Sequence, residues 1–358
     1  MFRIFRLSIL VTVVSLIVAF LYGGPQALFL AAILGVLEVS LSFDNAIINA
    51  TVLQRMSEFW QRMFLTVGVL IAVVGMRLVF PLAIVWITAG LNPIRALDLA
   101  LNPPSHGETY ESLVTAAHPQ IAAFGGMFLL MLFLDFLFDE KEHTWLSWIE
   151  RPLQKVGKLD QLSVVVAIAL LLVTATWLTP EHEKSTVLIA GLLGMVVYIV
   201  VNGLGELFHV EEEGDEGSPA SGRNELIKAT GKAAFFLFLY LEVLDASFSF
   251  DGVIGAFAIT ADPIIIALGL GFIGAMFVRS ITVYLVRQGT LNEYIFLEHG
   301  AHWAIGALAL ILFYSIHQEV PEVVTGLVGV VLIVASLVSS IVFNRNHRDA
   351  GEPVETTV

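Results

Sequence analysis

Apolar residues run along this chain in blocks of about 20, the length that crosses roughly 30 Å of hydrocarbon at 1.5 Å per residue. Ten such blocks are legible, at 7–22, 27–50, 62–88, 121–138, 161–178, 186–208, 232–259, 263–286, 301–317 and 320–342. Their hydrophobicity is nearly continuous, as expected of helices surrounded by apolar matter on most sides. The pattern predicts an all-α polytopic membrane protein of about ten transmembrane helices, with no soluble catalytic domain left over. Two longer polar stretches interrupt it: 91–120, and 210–223 with Glu211, Glu212, Glu213 and Asp215 ahead of Gly, Ser and Pro. The second reads as a flexible acidic linker.

The polar positions between blocks fix an orientation. With both termini cytoplasmic, as an even count requires, Arg3, Arg6, Arg55, Arg62, Lys141, Arg151, Lys155, Lys158, Arg223, Lys228, Lys232, Arg287, Arg345 and Arg348 fall on the cytoplasmic side. Only Arg95 and Lys184 fall outside. That bias follows the positive-inside rule, and dropping one span would scramble it. The first block, behind Arg3 and Arg6, has the look of a secretory signal, but no small-residue cleavage site follows it. A bacterial inner membrane is the expected location, with the bilayer as principal partner.

Composition narrows the chemistry. The 358 residues are 57% hydrophobic and 14% charged, with a net charge of −14 and no cysteine. Nucleic acid is excluded as a partner, because phosphate recognition needs a basic surface. Without thiols, a metal ion would have to be held by carboxylate, imidazole, hydroxyl or carbonyl groups. No P-loop is present, which argues against direct coupling to ATP.

One motif occurs twice. L-E-V-S-L-S-F-D-N-A-I-I, from Leu37 to Ile48, aligns with L-D-A-S-F-S-F-D-G-V-I-G, from Leu244 to Gly255. The alignment pairs Glu38 with Asp245, Ser40 with Ser247, Ser42 with Ser249, and Asp44 with Asp251. Each copy is followed by a block with one arginine near its middle, Arg77 and Arg279. The copies fall in the second and seventh blocks, and an odd offset means opposite orientation. The chain therefore reads as two inverted five-helix repeats, 1–180 and 181–344, with a polar tail at 345–358. Transporters of that plan place their site near the midplane between the halves.

Carboxylates inside a membrane helix cost about 2.5–3.5 kcal/mol each on insertion scales, so each needs a compensating group. Glu38, Asp44, Glu242, Asp245 and Asp251 lie well within apolar blocks, and Asp135 lies near the cytoplasmic end of the fourth. Arg77 and Arg279 are the available charge-balancing groups. Acids outnumber them, so a bound cation would restore balance. The candidate metal ligands are Glu38, Asp44, Asn45, Glu242, Asp245, Asp251 and Asp135. At 100° per residue, Glu38, Ser42, Asn45 and Asn49 share one stripe while Asp44 lies roughly 120° away, and the second copy repeats this. Either both faces are buried or the helices break near Asp44 and near Asp251, where Asn45 and Gly252 would assist unwinding. His299 and His302, beside Glu298, suit a solvated helix end or a path for metal or protons. The six tryptophans near block ends read as interfacial anchors.

At L-E-V-S-L-S-F-D-N-A, F-G-G-M-F-L-L-M-L-F-L-D-F and L-E-V-L-D-A-S-F-S-F-D-G the sequence resembles the TerC/Alx family of the LysE-like transporter superfamily, over about Glu38 to Asn344. The resemblance implies an integral membrane metal-homeostasis protein, many relatives being manganese exporters, with Glu38, Asp44, Asp245 and Asp251 contacting the ion. The expected substrate is therefore a divalent cation, Mn²⁺ first, with Ca²⁺ and Mg²⁺ also accepted by oxygen-rich sites. The expected function is non-enzymatic transport out of the cell. A non-transporting membrane subunit that loads metal onto other proteins is the alternative. An intramembrane aspartyl protease is a remote third, since neither Tyr-Asp nor Gly-x-Gly-Asp is present. Homo-oligomerisation stays open.

Overall fold

The computed structural model describes residues 2–79, 82–83, 86, 91–102, 107–141, 143–157, 159, 161–215, 229–260, 262–288, 294–318 and 320–349. All of its regular structure in these residues is helical, apart from one isolated parallel bridge between Met56 and Ala229. Six helices among the described residues are long and apolar enough to cross a membrane: Ile4–Val39, Glu58–Met76, His118–Phe138, Lys184–Leu204, Pro263–Arg287 and Val324–Asn346. Many large apolar side chains on the outer helices face outward, including Leu21, Phe29, Val36, Ile189 and Val331. A water-soluble protein does not tolerate that much exposed apolar surface. This is an all-α integral membrane protein.

The first helix, α1 (Phe2–Leu41), is interrupted at Gly23 (φ −138°, ψ 21°) and Gly24 (φ 68°, ψ −157°), directly before Pro25. Only glycine adopts the second conformation without strain. The interruption separates 2–22 from 25–41, matching the expected boundary between the first two blocks. A second discontinuity falls at Ser42 (φ −96°, ψ 17°), after which α2 (Phe43–Gln54) carries the chain onward. Next come α3 (Glu58–Met63) and two π-helical stretches, π1 (Phe64–Gly68) and π2 (Ile71–Val79). Within 91–120 the chain forms α4 (Pro93–Leu101) and α5 (Tyr110–Ala116), whose Ala96, Ala100, Tyr110 and Val114 pack in one apolar cluster with Ala19, Ala27 and Ala31 of α1.

The centre of the bundle is α6 (His118–Phe138), apolar and buried along most of its length. It is followed by α7 (Ser147–Val156), a short amphipathic helix, then α8 (Leu162–Val173) with π3 (Thr174–Leu178), and α9 (Lys184–Asp215). Backbone helix in α9 continues through Glu211, Glu212, Glu213 and Asp215, so the acidic run expected to be linker begins as helix. The second acidic segment lies on α10 (Gly231–Ile259). At 29 residues it is long enough to span, but it carries three carboxylates. Then α11 (Pro263–Ile266), π4 (Ala267–Gly274) and α12 (Ala275–Gln288) form one continuous rod, capped by Asp262 Oδ1 accepting from the Ile264 and Ile265 amides. The last helices are α13 (Leu297–Ser315) and α14 (Glu322–Asp349).

Cross-packing between the two parts of the chain positions the site. Helix α1 packs against π4 and α12, α2 against α12, and α10 against π2 and α2. The two acidic segments thus each lie on the π-bearing rod of the other part.

Candidate cation site

On α2 and the end of α1, Glu38, Ser42, Asn45 and Asn49 are all buried. The predicted stripe therefore faces the core. The Ser42 hydroxyl donates to Glu38 Oε1 at 2.9 Å, and the Asn45 amide donates to Asp245 Oδ1 at 2.8 Å. Glu38 Oε2 sits 3.1 Å from where a Cβ on Gly252 would be, and Glu38 Cγ only 2.0 Å from where one on Gly274 would be. Glu38 is accommodated between α10 and π4 because both present glycine.

These contacts share a symmetry. The sequence alignment pairs residues 207 apart, as in 245 − 38 and 252 − 45. Glu38 against Gly252 becomes Asp245 against Asn45 when each residue is replaced by its counterpart. At the helix ends, the Tyr22 hydroxyl donates to Asp262 Oδ2 at 3.0 Å, and its counterpart is the Ala229 amide donating to the Arg55 carbonyl at 2.8 Å. Gly24 (φ 68°) and Gly231 (φ 45°), also 207 apart, both take positive φ at the start of the two acidic helices. In these contacts the two segments run antiparallel, and each contact has a counterpart when the aligned residues are exchanged.

The chemistry does not follow the symmetry. On one side of the pair a void of ≈20 Å³, room for about one water or ion, is lined by Glu242, Asp245, Asn49, Gly68, Arg279 and Thr282 with apolar neighbours. Both oxygens of the buried Glu242 carboxylate, and the Asn49 Oδ1, have no hydrogen-bond partner among the described residues. Glu242 Oε1 lies 2.6 Å from the Cβ position on Gly68 in π1, so that glycine admits the carboxylate. Arg279 reaches across from α12, its Nε donating to the Leu65 carbonyl of π1 at 2.6 Å. Counting back 207 residues from Glu242 leads to Gly35, so the other side of the pair has no second acid at that level.

Glu242, Asp245 and Arg279 are therefore brought together, with Asn45 one hydrogen bond away. Glu38 lies farther along the pair, opposite Gly252. The side chains of Asp44, Arg77 and Asp251 lie outside the described residues. The backbone at the expected breaks is described. A discontinuity does precede Asp44, at Ser42, whereas α10 continues unbroken through Asp251. Gly252 serves close approach of Glu38, which requires an intact helix, and so does not unwind it. Among the described residues, no three Asp, Glu or His side chains converge as a metal-binding group.

Asp135 belongs elsewhere. Its Oδ2 accepts from the Tyr198 hydroxyl at 2.7 Å and it lines a vestibule of ≈800 Å³ with Arg55, Lys141, Glu298, His299 and His302. The two histidines are buried, 5% and 7% exposed, and do not form a solvated helix end. His299 Nδ1 lies 3.2 Å from Glu150 Oε2. Glu150, missed in the sequence, is fully buried on α7 and also accepts from Trp303 Nε1 at 3.0 Å and from the Trp145 and Leu146 amides. Burial alone would raise its pKa, but the bonds from His299, Trp303 and Leu146 outweigh that and hold it down to about 2. Trp303 is thus a partly buried donor, while Trp148, 78% exposed, retains the features of an interfacial anchor. The available signal was the amphipathic spacing of S-W-I-E-R-P-L-Q-K-V, whose inward face carries Glu150.

An all-helical membrane protein with partly unpaired carboxylates at the contact between two related segments is the class these features define. The chain belongs to the family described as "Protein of unknown function (DUF475)", whose model matches residues 43–347. Comparison with curated proteins found no match, and comparison with solved structures found none.

Proposed function

We propose that this protein is a transporter of divalent metal ions, Mn²⁺ first among them, working by alternating access to a carboxylate site between two inverted five-helix repeats. In this reading ten helices span a bacterial inner membrane with both termini cytoplasmic, and the cation leaves the cell. The observation that carries it is the Glu242 carboxylate: buried, without a hydrogen-bond partner among the described residues, and facing an ion-sized void shared with Asp245 and Asn49. An ionised carboxylate in such a place costs several kcal/mol unless a cation or proton joins it. Oxygen ligands of this kind suit hard and borderline cations. The two-fold exchange of contacts and the cross-packing onto π4 and π2 support the inverted-repeat plan, since alternating access needs two related halves that rock about a central site. Long π stretches are rare and often accompany function. The resemblance to the TerC/Alx family points the same way.

The test is metal content. Cells making the Glu242→Gln or Asp245→Asn protein accumulate several-fold more manganese than cells making the wild type at equal protein level, and lose manganese tolerance. Unchanged content in both variants sinks the transport reading. Tight Mn²⁺ binding by liposome-reconstituted protein without flux would instead favour a metal-loading subunit.

A further inference from the structure

The vestibule contains a histidine held in one tautomer. His302 Nδ1 lies 2.9 Å from the Glu298 carbonyl, which can only accept, so Nδ1 carries the hydrogen and the neutral ring keeps a lone pair on Nε2. That nitrogen has no hydrogen-bond partner among the described residues, although the side chain is only 7% exposed. The ring is fixed by Phe136, stacked at 3.8 Å between centroids and 8° between planes. The Lys141 ammonium in turn lies 3.5 Å from the Phe136 centroid. His302 lines the ≈800 Å³ vestibule with Asp135, Asp139 and Glu298. Metal-binding histidines are commonly oriented this way, one nitrogen donating to a carbonyl and the other free for the ion. His299 has the same form, its Nδ1 held by the Glu150 carboxylate, and single substitutions separate the two rings.

We propose that His302 Nε2, together with the Asp135 carboxylate, forms a loading site in the vestibule for a first-row divalent cation. The proposal rests on the cation-transport reading and deepens it. Imidazole favours first-row transition metals, whereas Mg²⁺ and Ca²⁺ favour oxygen alone, so this ligand discriminates against Mg²⁺ and Ca²⁺ before the inner void is reached. Water completes the shell, since no third acid or imidazole converges here among the described residues. An ion held by two side chains exchanges readily, as loading requires. Ile48 and Thr51 of α2 line the vestibule, and Asn49 of the same helix lines the inner void.

Pulsed electron paramagnetic resonance of the full-length protein in lipid nanodiscs, loaded with Mn²⁺ alone, tests this. A coordinated imidazole adds nitrogen modulation to the Mn²⁺ echo, and no histidine lines the inner void among the described residues. Wild type and Glu242→Gln are expected to show the modulation, His299→Gln to retain it, and His302→Gln to lose it. Tyr198→Phe, which removes the hydrogen bond to Asp135 and keeps the aromatic ring, weakens the imidazole-bound ion about tenfold, and serves where His302→Gln fails to fold. Modulation that persists in His302→Gln, or is absent from Mn²⁺-loaded wild type, overturns the loading site. The two readings fail separately: unchanged manganese content in the Glu242 and Asp245 variants removes the transport assignment while leaving the imidazole signal in place.

Discussion

The Asn45 amide donates to Asp245 Oδ1 across 2.8 Å, and the same contact, with each residue replaced by its aligned counterpart, is Gly252 against Glu38. One member of the pair therefore has a side-chain amide where the other has a glycine in close contact with the carboxylate. Asp245 accepts from the Asn45 amide, while Glu38 accepts from the Ser42 hydroxyl.

Replacing Asn45 separates these effects. Asn45→Ala removes a donor from a buried carboxylate and lowers stability by about 1–3 kcal/mol, seen as a reduced unfolding midpoint of the purified protein. Asn45→Asp sets two carboxylates side by side, which cannot both ionise without a cation or a shared proton. Its midpoint should rise on adding Mn²⁺ by more than that of wild type. Indifference of Asn45→Asp to both Mn²⁺ and pH would contradict the proximity of the site to Asp245.

The glycines around Glu38 differ in tolerance. A methyl at Gly274 would meet Glu38 Cγ at 2.0 Å, and the only relief is displacement of Glu38 or of π4. A methyl at Gly252 would meet a carboxylate oxygen at 3.1 Å, which a small rotation accommodates. Gly274→Ala is expected to abolish monodisperse protein on gel filtration, and Gly252→Ala to leave it within about 1 kcal/mol of wild type. The reverse ranking would mean that Glu38 does not sit between α10 and π4.

Much of this was legible in the sequence. Apolar blocks gave the long helices because a residue facing lipid or a packed neighbour must be apolar in either case. The stripe of Glu38, Ser42, Asn45 and Asn49 was readable because helical geometry alone puts those positions on one face. Gly252 misled, since a glycine after an acid signals unwinding as readily as close packing, and only the partner's position decides. The π stretches were illegible because their sequences, such as A-L-G-L-G-F-I-G, are equally good α-helix. Glu150 was hidden for another reason, since it sits at a helix end that looks solvated until α6, α7 and α13 close over it. His302 was legible as a solvated end or a path for metal or protons, but not as a buried ring.

Glu150 gives a pH-dependent handle. Its carboxyl is lowered from an ordinary 4.5 to about 2, so its contribution is fully present above about pH 5 and is lost as pH falls toward 2. A shift of that size corresponds to about 3 kcal/mol. Glu150→Gln should lower the unfolding midpoint at pH 7, and the difference from wild type should shrink steadily below about pH 4.5. A difference that is constant down to pH 3 would mean that the charge of Glu150 contributes nothing and only its shape matters.

Arg279 has two separable roles. Its Nε donates to the Leu65 carbonyl, in a π turn where the ordinary helical pairing is shifted, and its charge lies beside the void that Glu242 and Asp245 also line. Lysine keeps the charge but lacks the planar fork, so Arg279→Lys should lose stability by about 1–2 kcal/mol with Mn²⁺ affinity little changed. Glutamine removes the charge, leaving the carboxylates to the metal alone. Arg279→Gln should therefore bind Mn²⁺ about tenfold more tightly, a change of about 1.4 kcal/mol, in calorimetric titration of the purified protein. Tighter binding would also slow release, so transport by Arg279→Gln should fall even as affinity rises. If Arg279→Gln binds Mn²⁺ no better than wild type, the guanidinium does not compete with the cation, and its only function is to hold α12 against π1.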